Sequence, residues 1–382
     1  MGFSIGLYLG PGAPAPSWMM ASLDSVEVVQ SDRAPNGFQL VFTTPRTASE
    51  LVDYQVLAAA QLQAGQRIII TAAVNGASQV LMDGFITRVQ LQPPTPQEEA
   101  RITVIGEDIS VMMDMYEYSL EYPYMPDSAI AALLLAEWMG LGVTPEVTFT
   151  ATDLVSIFYV NQQVGTDRAY LNQLATQNAY VFCIRPGPVV GQSRGYWGPP
   201  LSSEPPQPVL TVDANGFGSV VSLSATFEAT APQLIYGLVQ DTLTGLPLPA
   251  AALFSTRSAV LAAQPRLLDS FPMQPVRLFD HQGLNIMQAE MRAQAILNAS
   301  TDQVVTLTGR LDALRYGSIL TAPGVVGLRG VGYTFDGYYY VQKVVHSVSR
   351  GAYIQEFALA REGTGSTVGI IPPSQISAGG SP

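Results

Sequence analysis

Residues 335–363 read FDGYYYVQKVVHSVSRGAYIQEFALAREG, and this stretch decides the fold class. Asp336-Gly337 is a turn pair, and a long run of aromatic and β-branched residues follows it until Ser349-Arg350-Gly351 breaks the run. The same texture resumes over residues 353–359, so the pattern predicts a β-hairpin. Because side chains alternate between the two faces of a strand, we expect one face to be buried and the other to carry Lys343.

A weaker copy of this arrangement occurs near the other end of the chain. The N-terminal copy comprises residues 65–70, 82–89 and 100–104, which parallel residues 317–320, 335–341 and 352–357. In both copies a glycine-led strand, a loop, an Asp-Gly turn and a two-stranded return follow in the same order. This similarity has two interpretations, a duplicated small β-barrel or the chance resemblance of two ordinary β-meanders.

The C-terminal pattern also resembles a known family. The residues that carry the resemblance are Gly317, Ile319, Pro323-Gly324, Asp336-Gly337-Tyr338, Val341, Val344, His346, Gly351, Tyr353, Phe357, Leu359 and Arg361. They resemble the hub proteins of contractile injection machines, which include phage tail baseplate hubs, the late control protein D family and the hub part of type VI secretion spike proteins. Residues 166–175, followed by 180–182, resemble the helix and strand that open the middle region of this family. The similarity spans residues 23–363, through fold-level patterns rather than a catalytic signature.

The resemblance implies a structural function without catalysis. In that family a homotrimeric hub joins a trimeric spike to the hexameric inner tube and seeds tube growth. The implied partners are a spike or tip protein, an inner-tube or tube-initiator protein, and baseplate wedge proteins. The implied location is the bacterial cytoplasm during folding, and then a phage tail or injection-system particle.

The predicted fold class is β-rich α+β, with two similar small β-barrels separated by a mixed α/β middle region. The expected parts are an N-terminal extension (1–20), a first barrel (21–112), a middle region (113–300), a second barrel (301–363) completed with neighbouring strands, and a flexible tail (364–382). The N-terminal extension is rich in Pro and Gly, so we expect it to become ordered only against a neighbour.

Three helices are expected in the middle region. They are predicted over residues 129–139, from a cap at Thr166 or Asp167, and over residues 285–298. Residues 185–208 contain many prolines and glycines, which exclude both helix and central strand, so this segment is predicted to be a loop. Trp197 lies within it, and the loop either packs on its own domain or reaches another subunit.

The candidate interface residues lie in three places. They are Trp197 in the predicted loop, Tyr338, Lys343 and Arg350 in the C-terminal hairpin, and Ile370 and Ile371 in the tail. In the tail, Ile370-Ile371 is the only apolar anchor, so the tail is either a flexible extension or a tether to a partner.

Composition bounds the possible partners. Only 13% of the residues are charged, 47% are apolar, and the mean hydropathy is +0.21. So low a fraction of charged residues favours a surface that partners cover, although a large β-rich protein with buried sheets has the same composition. The net charge of −12 and the absence of a basic run argue against binding of nucleic acid. Every basic residue except Lys343 is an arginine, which suits interface contacts but also follows from a coding bias.

Neither a targeting segment nor a cysteine-based site is visible in the sequence. The longest apolar run, residues 129–136, is far too short to span a bilayer, so no membrane insertion is expected. The single cysteine, Cys183, lies in an apolar segment and is predicted to be a buried strand residue.

The residues offer no recognisable catalytic motif or cofactor site. His346 is expected to be a structural imidazole bonded across the sheet, and His281 a turn residue. Neighbouring acidic pairs such as Glu107-Asp108 and Glu98-Glu99 point to opposite faces of a strand and cannot flank one glycosidic bond. The glycines at 324, 327, 330 and 332 fit no phosphate-loop spacing.

Two alternative functions stay open from the sequence alone. One is an enzyme that degrades envelope polysaccharide, which needs an acidic pair brought together by folding. The other is a β-rich glycan- or receptor-binding module, in which the tyrosines of 116–124 and Trp197 form stacking platforms.

Overall fold

The computed structural model describes residues 2–44, 62–95, 99–150, 160–212, 218–266, 275–279 and 283–367. The strands of the first part of the chain are β1 (Phe3–Leu9), β2 (Ala13–Pro14), β3 (Leu23–Ser31), β4 (Gly37–Thr44), β5 (Arg67–Val74), β6 (Ala77–Gln92), β7 (Ala100–Asp108), β8 (Glu117–Pro123), β9 (Val143–Val147), β10 (Val160–Thr166), β11 (Val181–Pro186) and β12 (Ser193–Gly198). The remaining strands are β13 (Gln207–Thr211), β14 (Val220–Phe227), β15 (Leu234–Gln240), β16 (Pro247–Ala252), β17 (Gln264–Pro265), β18 (Val276–Leu278), β19 (Val305–Asp312), β20 (Gly324–Arg329), β21 (Gly337–Ser349), β22 (Ala352–Arg361) and β23 (Gly363–Thr364). The helices are α1 (Ser17–Ser22), α2 (Asp127–Ala136), α3 (Asp167–Gln177), α4 (Ile286–Thr301) and α5 (Ala313–Tyr316), with 3-10 turns at Ile109–Asp114 and Glu137–Leu141. In the described part of the chain, every helix is too short or too polar to cross a membrane.

One large sheet of thirteen strands dominates the molecule. Its order is β14-β19-β22-β21-β3-β4-β7-β6-β5-β1-β2, and β20 pairs with both β21 and β13. Two three-stranded sheets, β11-β12-β9 and β16-β15-β18, and two small pairs, β10-β8 and β17-β23, complete the β-structure. The prediction of a β-rich α+β fold is confirmed.

The prediction of two closed barrels is wrong. Among the described residues no sheet closes on itself, and the strands of both predicted barrels belong to the same open sheet. The cause lies in β21, because two different strands pair with successive parts of the same side of it. Residues 337–341 pair with β20, whereas residues 343–349 pair with β3 of the N-terminal region. The edge that would close the C-terminal barrel is thereby continued into the N-terminal strands.

A single apolar core underlies this continuous sheet. Buried residues of both regions belong to one cluster, for example Val28 and Leu40 from the N-terminal strands and Leu307 and Phe357 from the C-terminal strands. The hairpin predicted from residues 335–363 is confirmed as β21–β22, with Val344 opposite Phe357 on the buried face.

The segment predicted as an irregular loop over residues 185–208 instead contains a strand. β12 pairs antiparallel with β11, with Trp197 opposite Phe182, and parallel with β9. Trp197 is fully buried, and its indole N–H donates to the carbonyl of Leu171 at 3.1 Å. A Cβ at Gly195 would meet the side chains of Leu135 and Val143, so glycine there lets the strand approach α2 closely. The glycines that argued against a strand therefore permit its close packing.

The N-terminal residues form part of the large sheet, so the prediction of a separate extension is wrong. β1 pairs antiparallel with β5 over its whole length, from Phe3 opposite Val74 to Leu9 opposite Ile68. Met19, in α1, is fully buried in the main core.

The predicted helices of the middle region are confirmed with small shifts. The side chain of Thr166 caps α3 by accepting the N–H of Ala169 at 3.2 Å. Asn285 and Gln288 form a reciprocal capping box at the start of α4, which packs on the β15–β16 hairpin. Cys183 is buried in β11, as predicted.

Buried polar groups lie where β21 meets β3. His346 is opposite Val28 of β3 and is fully buried. Its Nδ1 lies 2.9 Å from the hydroxyl oxygen of Tyr353 and 3.1 Å from Nε2 of Gln355, so two donors on the neighbouring strand face it. The prediction of an imidazole bonded across the sheet is confirmed. Burial lowers the pKa of His346 from 6.5 to about 3.

Two buried glutamines hold the segment before β20 against this junction. Gln355 accepts the N–H of Leu320 at 3.1 Å and donates to the carbonyl of the same residue at 2.8 Å. Gln30 of β3 accepts the N–H of Ala322 at 3.1 Å and donates to the carbonyl of Leu81 in β6 at 2.9 Å. These side-chain amides supply the hydrogen bonds that a buried backbone requires where no strand pairing is available.

A buried ion pair ties the N-terminal strands to the middle region. The guanidinium of Arg67 in β5 binds both carboxylate oxygens of Asp83 in β6, each at 2.7 Å. Arg67 also donates to the carbonyl of Gly191 at 3.3 Å, and the hydroxyl of Ser193 donates to Asp83 at 3.4 Å. The Asp83 side chain is only 1% exposed, so each charge depends on the other.

We predict that Asp83→Ala destabilises the protein strongly. The substitution leaves the Arg67 guanidinium largely buried without its carboxylate, which typically costs about 3–5 kcal/mol of unfolding free energy. Urea unfolding measures the loss. The matched control is Glu356→Ala, which removes the exposed cross-strand pair with Arg310 at 3.2 Å and should cost about 0–1 kcal/mol. Equal effects of the two substitutions would contradict the structural account of Arg67–Asp83.

We predict a pH dependence of stability that belongs to His346. Below pH 6.5 the unfolded chain binds a proton at this residue and the folded chain does not until about pH 3. The stability that the neutral imidazole supplies is therefore complete above pH 6.5 and is lost as the pH falls towards 3, by up to about 1.4 kcal/mol per pH unit.

Urea unfolding of wild type and His346→Gln at pH 7.5, 6, 5 and 4.5 measures this effect. The difference in unfolding free energy between the two proteins should shrink steadily below pH 6.5. Burial raises the pKa of Asp32 and of Asp108 to about 6, which acts in the opposite direction, but both groups are present in both proteins and cancel. A difference that stays constant from pH 7.5 to 4.5 would refute the assignment.

Candidate assembly interface

The large sheet consists of two halves with the same strand topology. We define the N-terminal half as β1 and β3–β7, and the C-terminal half as β13, β14 and β19–β22. Within the N-terminal half the neighbours run β3-β4-β7-β6-β5-β1, and within the C-terminal half they run β14-β19-β22-β21-β20-β13. Numbered in chain order, the strands of the two halves occupy the same places in the sheet. The corresponding pairs are β1 and β13, β3 and β14, β4 and β19, β5 and β20, β6 and β21, and β7 and β22. Two halves of one chain therefore repeat one arrangement.

Two β-bulges fall at corresponding positions in the halves. The ladder between β6 and β7 is interrupted at Thr87, and the corresponding ladder between β21 and β22 is interrupted at Gln342. The ladder between β3 and β4 is interrupted at Asp24, and the corresponding ladder between β14 and β19 at Val221. A bulge adds one residue to one strand and fixes the register around it, so these pairs of positions align the halves residue by residue.

This alignment corrects the predicted repeat. Asp83-Gly84 lies inside β6 and corresponds to Tyr338-Tyr339, not to Asp336-Gly337, which lies at the start of β21. Residues 317–320 follow α5 and form no strand. The strand of the C-terminal half that corresponds to β5 is β20. The halves also differ at their ends, because β1 pairs antiparallel with β5 whereas β13 pairs parallel with β20.

The halves join through one edge contact, between β21 and β3. In the aligned halves β21 corresponds to β6, and β3 corresponds to β14. The N-terminal half therefore has an edge like that of β21, along residues 87–92 of β6, and the C-terminal half has an edge like that of β3, along β14. Within the described ranges neither edge has a partner strand, because β5 follows β6 only as far as Phe85 and β14 pairs with β19 alone.

Apolar side chains are exposed along both unpaired edges. Leu91 of β6 is 42% exposed and Phe227 of β14 is 41% exposed. The residues at the corresponding positions of the joined edges are His346 and Gln30, which are 0% and 3% exposed. Burial at the junction thus comes from the neighbouring strand rather than from the position within the half.

Opposite charges lie at the ends of these edges. Arg88 is exposed just after the bulge of β6, and Glu228 follows β14 directly. The hydroxyl of Thr230 donates to the Glu228 carboxylate at 2.5 Å, and this hydrogen bond lowers the pKa of Glu228 below its usual range. The carboxylate therefore stays ionised in moderately acidic solution.

The candidate interface residues are dispersed. Trp197 is buried in the middle region, which agrees with the alternative that its segment packs on its own domain rather than reaching another subunit. Lys343 and Arg350 are exposed on the C-terminal hairpin, and Tyr338 is half-buried. Arg350 donates to the carbonyl of Ala21 at 3.1 Å. Ile370 and Ile371 lie outside the described residues. Sequence reasoning missed the edges of β6 and β14, although the alternation of Val89 and Leu91 with polar residues was a readable strand signal.

The acidic residues considered for catalysis have structural contacts. Glu107 accepts from Arg168 at 2.8 Å, while Asp108 accepts the N–H of Ser110 at 2.8 Å and caps the turn that follows β7. Glu98 and His281 lie outside the described residues. Within the described ranges, no group of three or more His, Cys, Asp or Glu side chains is arranged to hold a metal ion.

Of the aromatic residues considered as a stacking platform, Tyr122 and Trp197 are buried, whereas Tyr118 is exposed. Tyr122 is buried, stacks on Tyr170 with ring centroids 6.0 Å apart, and donates to Gln163 at 2.6 Å. Tyr116 and Tyr124 are exposed.

Comparison of the sequence with known proteins gives no match, either to a family model or to a curated protein. Comparison of the structure gives clear matches. A tail protein from Neisseria meningitidis matches with a TM-score of 0.60 at 14% identity, over 96% of this chain and 98% of that protein. The 43 kDa tail protein of prophage MuSo2 from Shewanella oneidensis matches with a TM-score of 0.64 at 14% identity, over 94% of this chain and 99% of that one.

A third match comes from a secretion system. An E. coli component of the type VI secretion system, described as structurally similar to the T4 bacteriophage tail proteins gp27 and gp5, matches with a TM-score of 0.54 at 14% identity, over 97% of this chain and 80% of that one. Over nearly its whole length, this chain has the fold of phage tail proteins and of a type VI secretion component.

Proposed function

We propose that this chain is a structural hub of a phage tail baseplate or a related contractile injection machine. It forms a homotrimer that joins a trimeric spike to a hexameric inner tube and seeds growth of the tube. One observation carries the proposal above the others, namely that one chain contains two sheet halves of the same topology joined edge to edge.

Two similar halves in each chain of a trimer allow a threefold-symmetric protein to bind a sixfold-symmetric one. Three chains have true threefold symmetry, and three chains with two similar halves each present six similar units around the same axis. One side of such a ring fits a threefold spike, and the other fits a sixfold tube. The trimer contacts are expected to be obligate, with about 2,000 Å² or more buried at each.

The fold supports this assignment of role. The chain shares its fold with tail proteins over 94–96% of its length, and with a type VI secretion component described as similar to gp27 and gp5. A hub built from rigid strands needs neither cofactor nor catalytic group, so we propose no enzymatic activity. The site of action is the assembled particle, after folding in the bacterial cytoplasm.

The surface offers contact areas for the proposed partners. On the sheet of β15, β16 and β18, one face packs on α4 while large apolar side chains on the other remain exposed, including Tyr236, Leu238 and Leu278. Exposed apolar residues grouped on one sheet are typical of surfaces that a partner covers. We propose the spike or tip protein, the tube or its initiator, and the wedge proteins as partners, with Tyr338, Lys343, Arg350, Ile370 and Ile371 as further contact residues. Because the net charge is −12, we propose that the protein makes no direct contact with nucleic acid. We also propose that it does not insert into a membrane.

We predict that the purified chain is a trimer. Native mass spectrometry at micromolar concentration should give three times the chain mass of 40.8 kDa. Electron-microscope class averages along the axis should show six similar lobes around a threefold centre. A stable, monodisperse monomer at micromolar concentration would overturn the proposal.

A further inference from the structure

We propose that the edge of β6 formed by residues 87–92 pairs antiparallel with β14 of a second copy of this chain. The inference rests on the proposed trimer and specifies one contact between its chains. Val89 then lies opposite Phe227, and Leu91 opposite Ala225, of the second copy.

The register follows from the junction inside the chain. There Val344 of β21 lies opposite Gln30 of β3, and His346 lies opposite Val28. Alignment of the bulges at Gln342 and Thr87 places Val344 on Val89 and His346 on Leu91. Alignment of the bulges at Asp24 and Val221 places Gln30 on Phe227 and Val28 on Ala225. The contact observed once in the chain is thereby transferred, residue by residue, to the two edges that lack a neighbour.

The exposure of the side chains agrees with this register. Because strand side chains alternate, Val89, Leu91, Ala225 and Phe227 all point to the core side, as their buried counterparts at the junction do. Pairing covers the exposed parts of Leu91 and Phe227, and each Å² of apolar surface removed from water contributes roughly 25 cal/mol.

The charges agree with it as well. The same register places Arg88 opposite Glu228, on the outer face of the sheet. Opposite charges directly across a strand pair are favourable, and like charges are unfavourable. No pairing displaced by an odd number of residues is compatible with the apolar face, because it turns Leu91 away from the core.

The backbone of these edges also requires a partner. An unpaired strand exposes a row of N–H and C=O groups and readily pairs with another chain unless it is protected. Pro93 and Pro94 end β6 directly after Gln92, which limits the pairing to about five residues and prevents extension along the sheet.

The contact is head-to-tail, so it builds a ring. Each copy offers a β6 edge on one half and a β14 edge on the other, and two copies joined by one pair still have one edge of each kind free. A heterologous contact of this kind closes into a ring when the rotation permits. In a closed trimer the three internal junctions and the three contacts between copies alternate around the axis.

Disulfide cross-linking tests the register. Gln90 and Thr226 lie opposite each other on the outer face in the proposed pairing, so the variant Gln90→Cys/Thr226→Cys should form disulfide-linked dimers and trimers on mild oxidation, seen on a non-reducing gel. The native Cys183 is buried and does not interfere. The matched control, Gln90→Cys/Ser222→Cys, places the second cysteine four residues along the same face of β14, about 13 Å away, and should not link.

The outcomes separate this inference from the proposed function. Chain-to-chain links in the first variant and none in the control support the pairing. A trimer by native mass without links, equal linking in both variants, or a link within one chain overturns the pairing and leaves the trimeric hub standing. A monomer by native mass overturns the hub proposal and, with it, the pairing.

Charge reversal provides an independent second test. Arg88→Glu and Glu228→Arg each place like charges across the contact and should raise the concentration of half-assembly at least about threefold, the effect of a weak exposed pair. The double variant restores opposite charges and should return assembly to the wild-type concentration. If the double variant assembles no better than either single variant, the two residues do not face each other.

Discussion

The strand pairing between β21 and β3 is the contact on which the rest of the structure depends. An open β-sheet has two edge strands, and each edge leaves backbone donors and acceptors without partners. Here the C-terminal half satisfies its edge by continuing into the N-terminal half, over residues 343–349 opposite residues 25–31. Because a one-residue slip turns every side chain to the other face, the buried face of β21 holds this register firmly. The same pairing merges two cores into one.

The buried polar groups at this junction specify it more than they stabilise it. His346, Gln355 and Gln30 lie in an otherwise apolar layer. Gln355 and Gln30 hold residues 320–322 in place by hydrogen bonds, and His346 contacts the side-chain amide of Gln355. A buried amide is tolerated only when its partners are present, so a displaced register would leave these groups unpaired. In the N-terminal and C-terminal halves the aligned counterparts of these residues are apolar: Leu91 for His346 and Phe227 for Gln30 on the free edges, and Ile102 for Gln355 in the interior strand β7. The internal junction is therefore chemically distinct from any contact that the free edges make.

The local secondary structure was predicted correctly from the sequence, whereas the closure of the sheet into two barrels was not. The hairpin of 335–363, the cap at Thr166, the helix over 285–298 and the burial of Cys183 all depend on neighbours in the chain, and all are confirmed. Barrel closure depends on which distant strand lies beside an edge, and alternation of side chains carries no information on that choice. The buried strand around Trp197 was missed for a similar reason, because glycine is a turn signal in isolation and a close-packing residue when α2 lies beside it.

The duplication itself was recognised from the wrong residues. Matching the two Asp-Gly pairs displaced β6 against β21 by two positions, which preserved the face on which their side chains lie and so produced a plausible repeat. The bulges at Thr87 and Gln342 give the correct alignment, but no residue type marks them, since a bulge is a property of paired strands. The edges of β6 and β14 became visible as a site only once that alignment was available.

The two halves differ in structure, and these differences limit where a partner can bind both halves in the same way. In the N-terminal half β3 and β4 are joined by residues 32–36, whereas in the C-terminal half β14 and β19 are separated by residues 228–304, which carry the β15–β16 hairpin and α4. The outermost strand is antiparallel in one half and parallel in the other. A partner with true sixfold symmetry therefore meets equivalent surfaces only where both halves keep the shared strands, such as the returns from β6 to β7 and from β21 to β22. A threefold partner has the opposite requirement, because only the features that distinguish the halves, above all the insertion after β14, recur three times around a trimeric ring.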